Sequence, residues 1–206
     1  MTAQMSEWFE NYGFAEVFPE LVIGAYPLDA DDVGALAARG IRRVLNLSQE
    51  AEYREGQRAA VQRALAAHGI EETRVGLTDF GRLPGDALDE AIRIVVAWMD
   101  DCEPSYVHCR AGYQRSAAVA AGAVAVVNGV DIATALQWVR KHKHTADPLP
   151  HQRADLQDWW LTRGRREAAA HASANGSWSA TPEASHAANP TNAAAAGGAT
   201  TPSDAA

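Results

Sequence analysis

The sequence predicts an α/β domain with a central, mostly parallel, twisted sheet of four to five strands and helices on both faces. Three observations carry that expectation. Short β-branched runs alternate with helical stretches of roughly ten to fifteen residues, the pattern of parallel strands joined by crossover helices. A length of 206 residues suits one domain with a full core. No stretch approaches the ~20 apolar residues of a membrane span.

The elements follow in order. Residues 1–17 are expected to dock on the domain, because Trp8, Phe9, Tyr12, Phe14 and Val17 crowd a helix or lead-in. Residues 21–24 (LVIG) read as a strand ending in a turn. Asp31 or Asp32 can cap a helix that runs to Arg39 and stops at Gly40. Residues 41–47 (IRRVLNL) form the next strand, with β-branched residues at buried positions. Residues 53–68 are an amphipathic helix with Val61 and Leu65 inside, and 70–77 another strand. A polar loop rich in Gly and Pro covers 78–86. Leu88, Ile92, Val95 and Met99 then recur at helical spacing over 86–101, with Asp86 standing where an N-cap is wanted. Cys102 is expected to pack in the connection to a strand at 105–108. The helix over 116–127 is rich in Ala and Val all round, as befits a buried one. Asp131 caps the next helix, which ends in Arg140-Lys141-His142-Lys143-His144, cations at the negative end of the dipole. A last helix near 152–166 carries Leu156, Trp159, Trp160 and Leu161. The domain is therefore drawn over 18–166. Residues 167–206, rich in Ala, Gly, Ser, Thr and Pro, are expected to be a disordered tail.

Composition narrows the function. A net charge of −8 and a pI near 5.3 argue against nucleic-acid partners and anionic membranes, which need a basic face. Cys102 and Cys109 are the only cysteines, and a lone thiol nucleophile favours a reducing compartment. Residues 1–20 carry Glu7, Glu10, Glu16 and Glu20 without a basic residue, unlike a signal or transit peptide. A cytoplasmic monomer is expected.

The chemistry concentrates in residues 107–116, VHCRAGYQRS. A strand that breaks into a short loop and re-emerges as a helix aims backbone N–H groups, and the helix dipole, at one point. Such a loop is a nest for a tetrahedral oxyanion, and residues 110–114 (Arg110, Ala111, Gly112, Tyr113, Gln114) would form it. The thiolate of Cys109 would be stabilised by the dipole and by Arg115. Arg115 can hold two phosphoryl oxygens in a fork, which Lys cannot. Gly112 permits a positive φ, and Ser116 can donate to sulfur as it leaves. A leaving alcohol also needs a proton, and a carboxylic acid near the site can supply it.

The string HCRAGYQRS resembles the active-site loop of the cysteine-based protein tyrosine phosphatases, most closely the dual-specificity branch, whose loops often read HCxxGxxRS. The match covers His108, Cys109, Gly112, Arg115 and Ser116. The resemblance extends over about Phe18 to Arg163 and implies a phosphatase-like three-layer fold. It places the acid in the loop after the preceding strand, where Asp79 stands 30 residues ahead of Cys109; Asp86 is the runner-up. It implies that Asn46 braces the catalytic loop, although a strand-end Asn making a turn explains the residue equally well. His108 is expected to bond backbone and steady the loop rather than act as a base.

The expected activity is phosphomonoester hydrolysis through a phosphocysteine, acting on a phosphorylated protein or small phosphomonoester, without cofactor or metal. His142, His144 and His151 present no common face for a metal. Three alternatives remain open. The substrate is a phosphoinositide or phosphorylated carbohydrate, the loop is a catalytically inactive phosphate-binding module, or the Cys belongs to a sulfurtransferase. The single base in the loop, Arg110, favours a protein substrate over a phosphoinositide.

Overall fold

Residues 5–175 are described by the computed structural model. Five strands, β1 (Phe14–Phe18), β2 (Leu21–Gly24), β3 (Arg43–Asn46), β4 (Glu71–Arg74) and β5 (Ser105–His108), form one sheet among the described residues. Their order is β1-β2-β5-β3-β4. The β1 strand runs antiparallel to β2, and the other pairs are parallel.

Side-chain alternation along the strands divides the core into two layers. Val22, Val44 and Tyr106 face Phe9 of α1 (Glu7–Tyr12), Val33 and Leu36 of α2 (Ala30–Ala38), and Val61 and Leu65 of α3 (Gln57–Ala67). Leu21, Ile23, Leu45 and Val107 face the opposite layer. That layer holds α4 (Gly85–Asp100), α5 (Arg115–Asn128), α6 (Ile132–His142), α7 (Pro150–Trp159) and α8 (Arg165–Asn175). The α5 helix is enclosed along almost its whole length, so its small side chains set how closely its neighbours approach. At Gly122 an added Cβ would lie 2.2 Å from Ile92 Cδ1 of α4. No single described helix is long and apolar enough to cross a membrane.

Several expectations are corrected. The aromatic lead-in is a short helix and an edge strand, with an irregular register between Glu16 and Phe18. The cap of α2 is Asp29, whose carboxylate accepts from Asp31 N and Asp32 N, both at 3.0 Å. Asp32 is thereby buried, and binds the Ser6 backbone N (2.8 Å) and hydroxyl (2.7 Å), which ties α1 down. The third helix starts at Gln57 rather than 53, because Gly56 (φ 72°) breaks the chain after a 3₁₀ turn at Glu50–Glu52. Pro84, not Asp86, precedes α4, and Asp86 lies in its first turn. Cys102 is exposed rather than packed: at φ 55° it occupies the left-handed position after α4 that Gly usually fills, donating to Met99 O at 3.1 Å. The chain expected to be disordered from residue 167 is helical through Asn175. After a π turn at Trp160–Gly164, α8 lies on α5 with Ala168 buried, and Ala is the strongest helix former. The rest of that expected tail, 176–206, lies outside the described residues.

Candidate active site

The parallel strands β3, β4 and β5 end on one edge of the sheet, where open α/β sheets place ligands. Chain leaving β5 makes a short loop and re-enters as α5, so residues 109–114 sit at a helix N-terminus. Gly112 is required twice over. Its φ is +77°, and an added Cβ would lie 2.5 Å from the backbone carbon of Gly24 in β2. The loop carbonyls are engaged from outside: Arg110 O accepts from Tyr26 N at 3.0 Å, and Tyr113 O from Asp147 N at 2.7 Å.

Cys109 is buried, with Sγ 3.5 Å from Ser116 Oγ. Arg115 is completely buried. Its Nη1 donates to Glu52 Oε1 at 2.6 Å and to Leu77 O at 2.8 Å, and Nη2 donates to Glu52 Oε2 at 2.8 Å. The same Nη2 lies 2.9 Å from Asp79 Oδ1. Arg115 Nε is buried without a partner, a donor left over for an oxyanion. Burial alone would push Glu52 up, but its bonds to Arg115 and to Gln49 N prevail and hold it below the usual carboxylate range. Burial likewise disfavours the guanidinium, and Glu52, Cys109 and Asp79 more than offset it, so Arg115 is raised.

The structure thus brings together Cys109, Arg115, Ser116 and Asp79. Asp86 is elsewhere, its exposed carboxylate 2.5 Å from Arg163 Nη2. Arg110 is exposed, while Tyr113 and Gln114 are half-buried. The Tyr113 ring lies 5.6 Å from that of Tyr12 and 5.5 Å from Lys143 Nζ, which donates to Tyr12 O. Asn46 makes a turn at the end of β3. Its Oδ1 accepts from Ser48 N (2.9 Å) and Tyr53 Oη (3.0 Å), and its Nδ2 donates to Glu72 (2.7 Å). Sequence reasoning missed Glu52, which is 63 residues from Arg115. The available signal was its capping box with Gln49, which fixes a carboxylate just beyond a strand end. His142 Nδ1 binds Trp138 O and His151 Nε2 binds the carbonyls of Phe80 and Gly81. No group of three potential metal ligands occurs among the described residues.

His108 is buried in β5, with Nδ1 3.3 Å from Cys109 O. Burial first, then the positive charges of Arg115 and Arg74, pushes it down to about 4 from its ordinary 6.5. Between those values the unfolded chain binds a proton that the folded chain does not. Stability therefore falls as pH drops from about 6.5 towards 4, by up to about 3 kcal/mol from this residue. Urea titrations of wild type and His108→Gln at pH 7 and 4.5 should show a smaller loss on acidification in the variant. Equal losses would remove His108 as the cause.

A family model described as "Tc-R-P: Polymorphic toxin system, DSP-PTPase phosphatase" matches residues 25–129. Among solved structures the chain is similar to PTPMT1, at 22% identity and a TM-score of 0.64, over 79% of this chain and 100% of that one. PTPMT1 in complex with PI(5)P is similar to the same degree, with 21% identity, a TM-score of 0.64 and coverage of 77% and 98%. A mouse putative dual specificity phosphatase complexed with zinc tungstate matches at 28% identity and a TM-score of 0.58, over 75% of this chain and 91% of that one. Human DUSP28 matches at 25% and 0.55, over 71% and 91%. No curated protein matches the chain.

Proposed function

Because this chain belongs to the DSP-PTPase phosphatases of polymorphic toxin systems, we propose that it hydrolyses phosphomonoesters through a phosphocysteine intermediate, as a dual-specificity-type protein phosphatase. The observation that carries this reading is Arg115: a fully buried guanidinium, locked by Glu52, with Nε unpaired in the loop that holds Cys109.

In the first step Cys109 Sγ attacks phosphorus as the bond to the leaving oxygen breaks. The amides of 110–115 and the Nε edge of Arg115 stabilise the equatorial oxygens. Asp79 gives its proton to the leaving oxygen. In the second step the Asp79 carboxylate takes a proton from water, whose oxygen attacks phosphorus and expels sulfur. Ser116 Oγ, at 3.5 Å, donates to the departing thiolate. Phosphate and free Cys109 result. Asp79 and Ser116 thus serve opposite ends of the same displacement.

Arg110 is the only basic side chain within 110–114, which favours a phosphorylated protein over a polyanionic phosphoinositide. A thiol nucleophile suits a reducing compartment, and the cytoplasm is the proposed place of action, with the chain working as a monomer.

Hydrolysis of p-nitrophenyl phosphate and phenyl phosphate, in reducing buffer with EDTA, tests the reading. Asp79→Asn should lower kcat/KM, which reads only the step that expels the leaving group, by about 10²-fold or more on phenyl phosphate and less on p-nitrophenyl phosphate, because its phenolate leaves with less help. An inactive wild type points instead to a phosphate-binding module. Equal losses of kcat/KM on both esters remove Asp79 as the acid.

A further inference from the structure

Asp79 touches Arg115, but the backbone that carries it is held by α7. His151 Nε2 lies 3.1 Å from Phe80 O and 3.1 Å from Gly81 O. Both neighbours are carbonyl oxygens, so Nε2 carries the proton and donates. Gln152 Nε2 donates to Gly81 O at 3.0 Å. Gln152 is completely buried, and its Oε1 accepts from Leu149 N at 3.1 Å, which fixes which end of the amide faces the loop. One turn further, Asp155 accepts from Leu83 N at 2.8 Å and pairs with Arg82 at 2.5 Å.

Apart from the Asp79–Arg115 contact, the segment is held locally. It is a tight turn closed by Gly81 N donating to Thr78 O at 3.0 Å. Phe80 sits at φ 55° with 67% of its surface exposed, so its side chain contributes little packing. A left-handed non-glycine residue persists only where its surroundings over-determine it, and the bonds from α7 supply that constraint.

We propose that His151 and Gln152 are positioning residues for proton transfer, holding the 78–81 turn so that the Asp79 carboxyl stands beside Arg115, ready to protonate the leaving oxygen. This rests on reading Asp79 as the acid. A proton donor displaced by about 1 Å loses much of its advantage. The loss falls on leaving groups that need the proton, whereas a purely structural defect lowers the rate on all substrates alike.

The test is kcat/KM over a series of aryl phosphates, from dinitrophenyl to phenyl phosphate, for wild type, His151→Ala, His151→Gln, Gln152→Met and Asp79→Asn. For His151→Ala, about tenfold loss is expected on phenyl phosphate and less than about threefold on the dinitrophenyl ester. His151→Gln, which keeps a donor, should recover most of that loss. Gln152→Met should steepen the series in the same direction, so the result does not hang on one variant. Series for His151→Ala and Gln152→Met that run parallel to wild type, beside a steep one for Asp79→Asn, overturn the positioning role alone. A parallel series for Asp79→Asn overturns the acid itself.

Discussion

Cys109→Ser should abolish turnover of p-nitrophenyl phosphate, by about 10⁴-fold or more, with little change in stability. A serine hydroxyl at the same place is not ionised near neutral pH, and the adjoining His108 is not set to take its proton: its Nδ1 faces a backbone carbonyl and burial depresses its proton affinity. The replacement is nearly isosteric in a site where the side chain is 3% exposed, and the new hydroxyl can still meet Ser116 Oγ. Thermal unfolding should therefore move by the equivalent of about 1 kcal/mol or less. Tungstate or phosphate should still bind, since the loop amides and Arg115 remain. A variant that keeps its rate within tenfold of wild type would end the phosphocysteine mechanism.

Arg115→Lys should lower kcat/KM by about 10³-fold and weaken oxyanion binding, although the charge is kept. An ammonium offers three hydrogens from one point. It cannot span both oxygens of Glu52, the carbonyl of Leu77 and Asp79 while keeping an edge free for phosphate. At least one acceptor is left buried and unpaired, at about 1–3 kcal/mol, so the variant should also unfold earlier. Steady-state kinetics with tungstate as inhibitor reads both parts. Near-normal inhibition beside a lost rate would limit Arg115 to the transition state, and a near-normal rate would exclude it.

How much of this was legible depended on how far apart the cooperating residues lie. Cys109, Gly112, Arg115 and Ser116 fall within eight consecutive positions, where local geometry alone brings them together. Asp79 was readable through the family resemblance, which implies an acid in a loop about thirty residues ahead of the cysteine. Glu52 was not: its capping-box spacing from Gln49 marks a turn but not a partner, and only the fold sets the carboxylate against Arg115. The three neighbouring aspartates 29, 31 and 32 show the same limit at short range. The sequence offered Asp31 or Asp32 as the cap, but Asp29 takes that role, accepting from Asp31 N and Asp32 N, while Asp32 is drawn in against Ser6. The parallel sheet emerged from alternation, but β1 did not, because an edge strand crowded with aromatics reads equally as a helix. The α8 helix was hidden by composition, since an Ala-rich stretch looks structureless until small residues on α5 offer it a surface.

The contact between Gly112 and Gly24 bears on what can be cut out of this protein and moved. Two glycines meet backbone to backbone, so the loop between β5 and α5 takes its position from β2 with no side chain between them. Gly24 in turn pairs with Phe14, and Ala25 N reaches Gly13 O at 3.2 Å, so the N-terminal hairpin sets where that strand stands. On the far side, α7 grips the 78–81 turn. Both supports lie outside residues 25–129, the stretch that defines the family by sequence. The transferable module is therefore larger than the recognisable one: a graft bounded by the signature would carry the reacting groups and leave behind the parts that hold them in register.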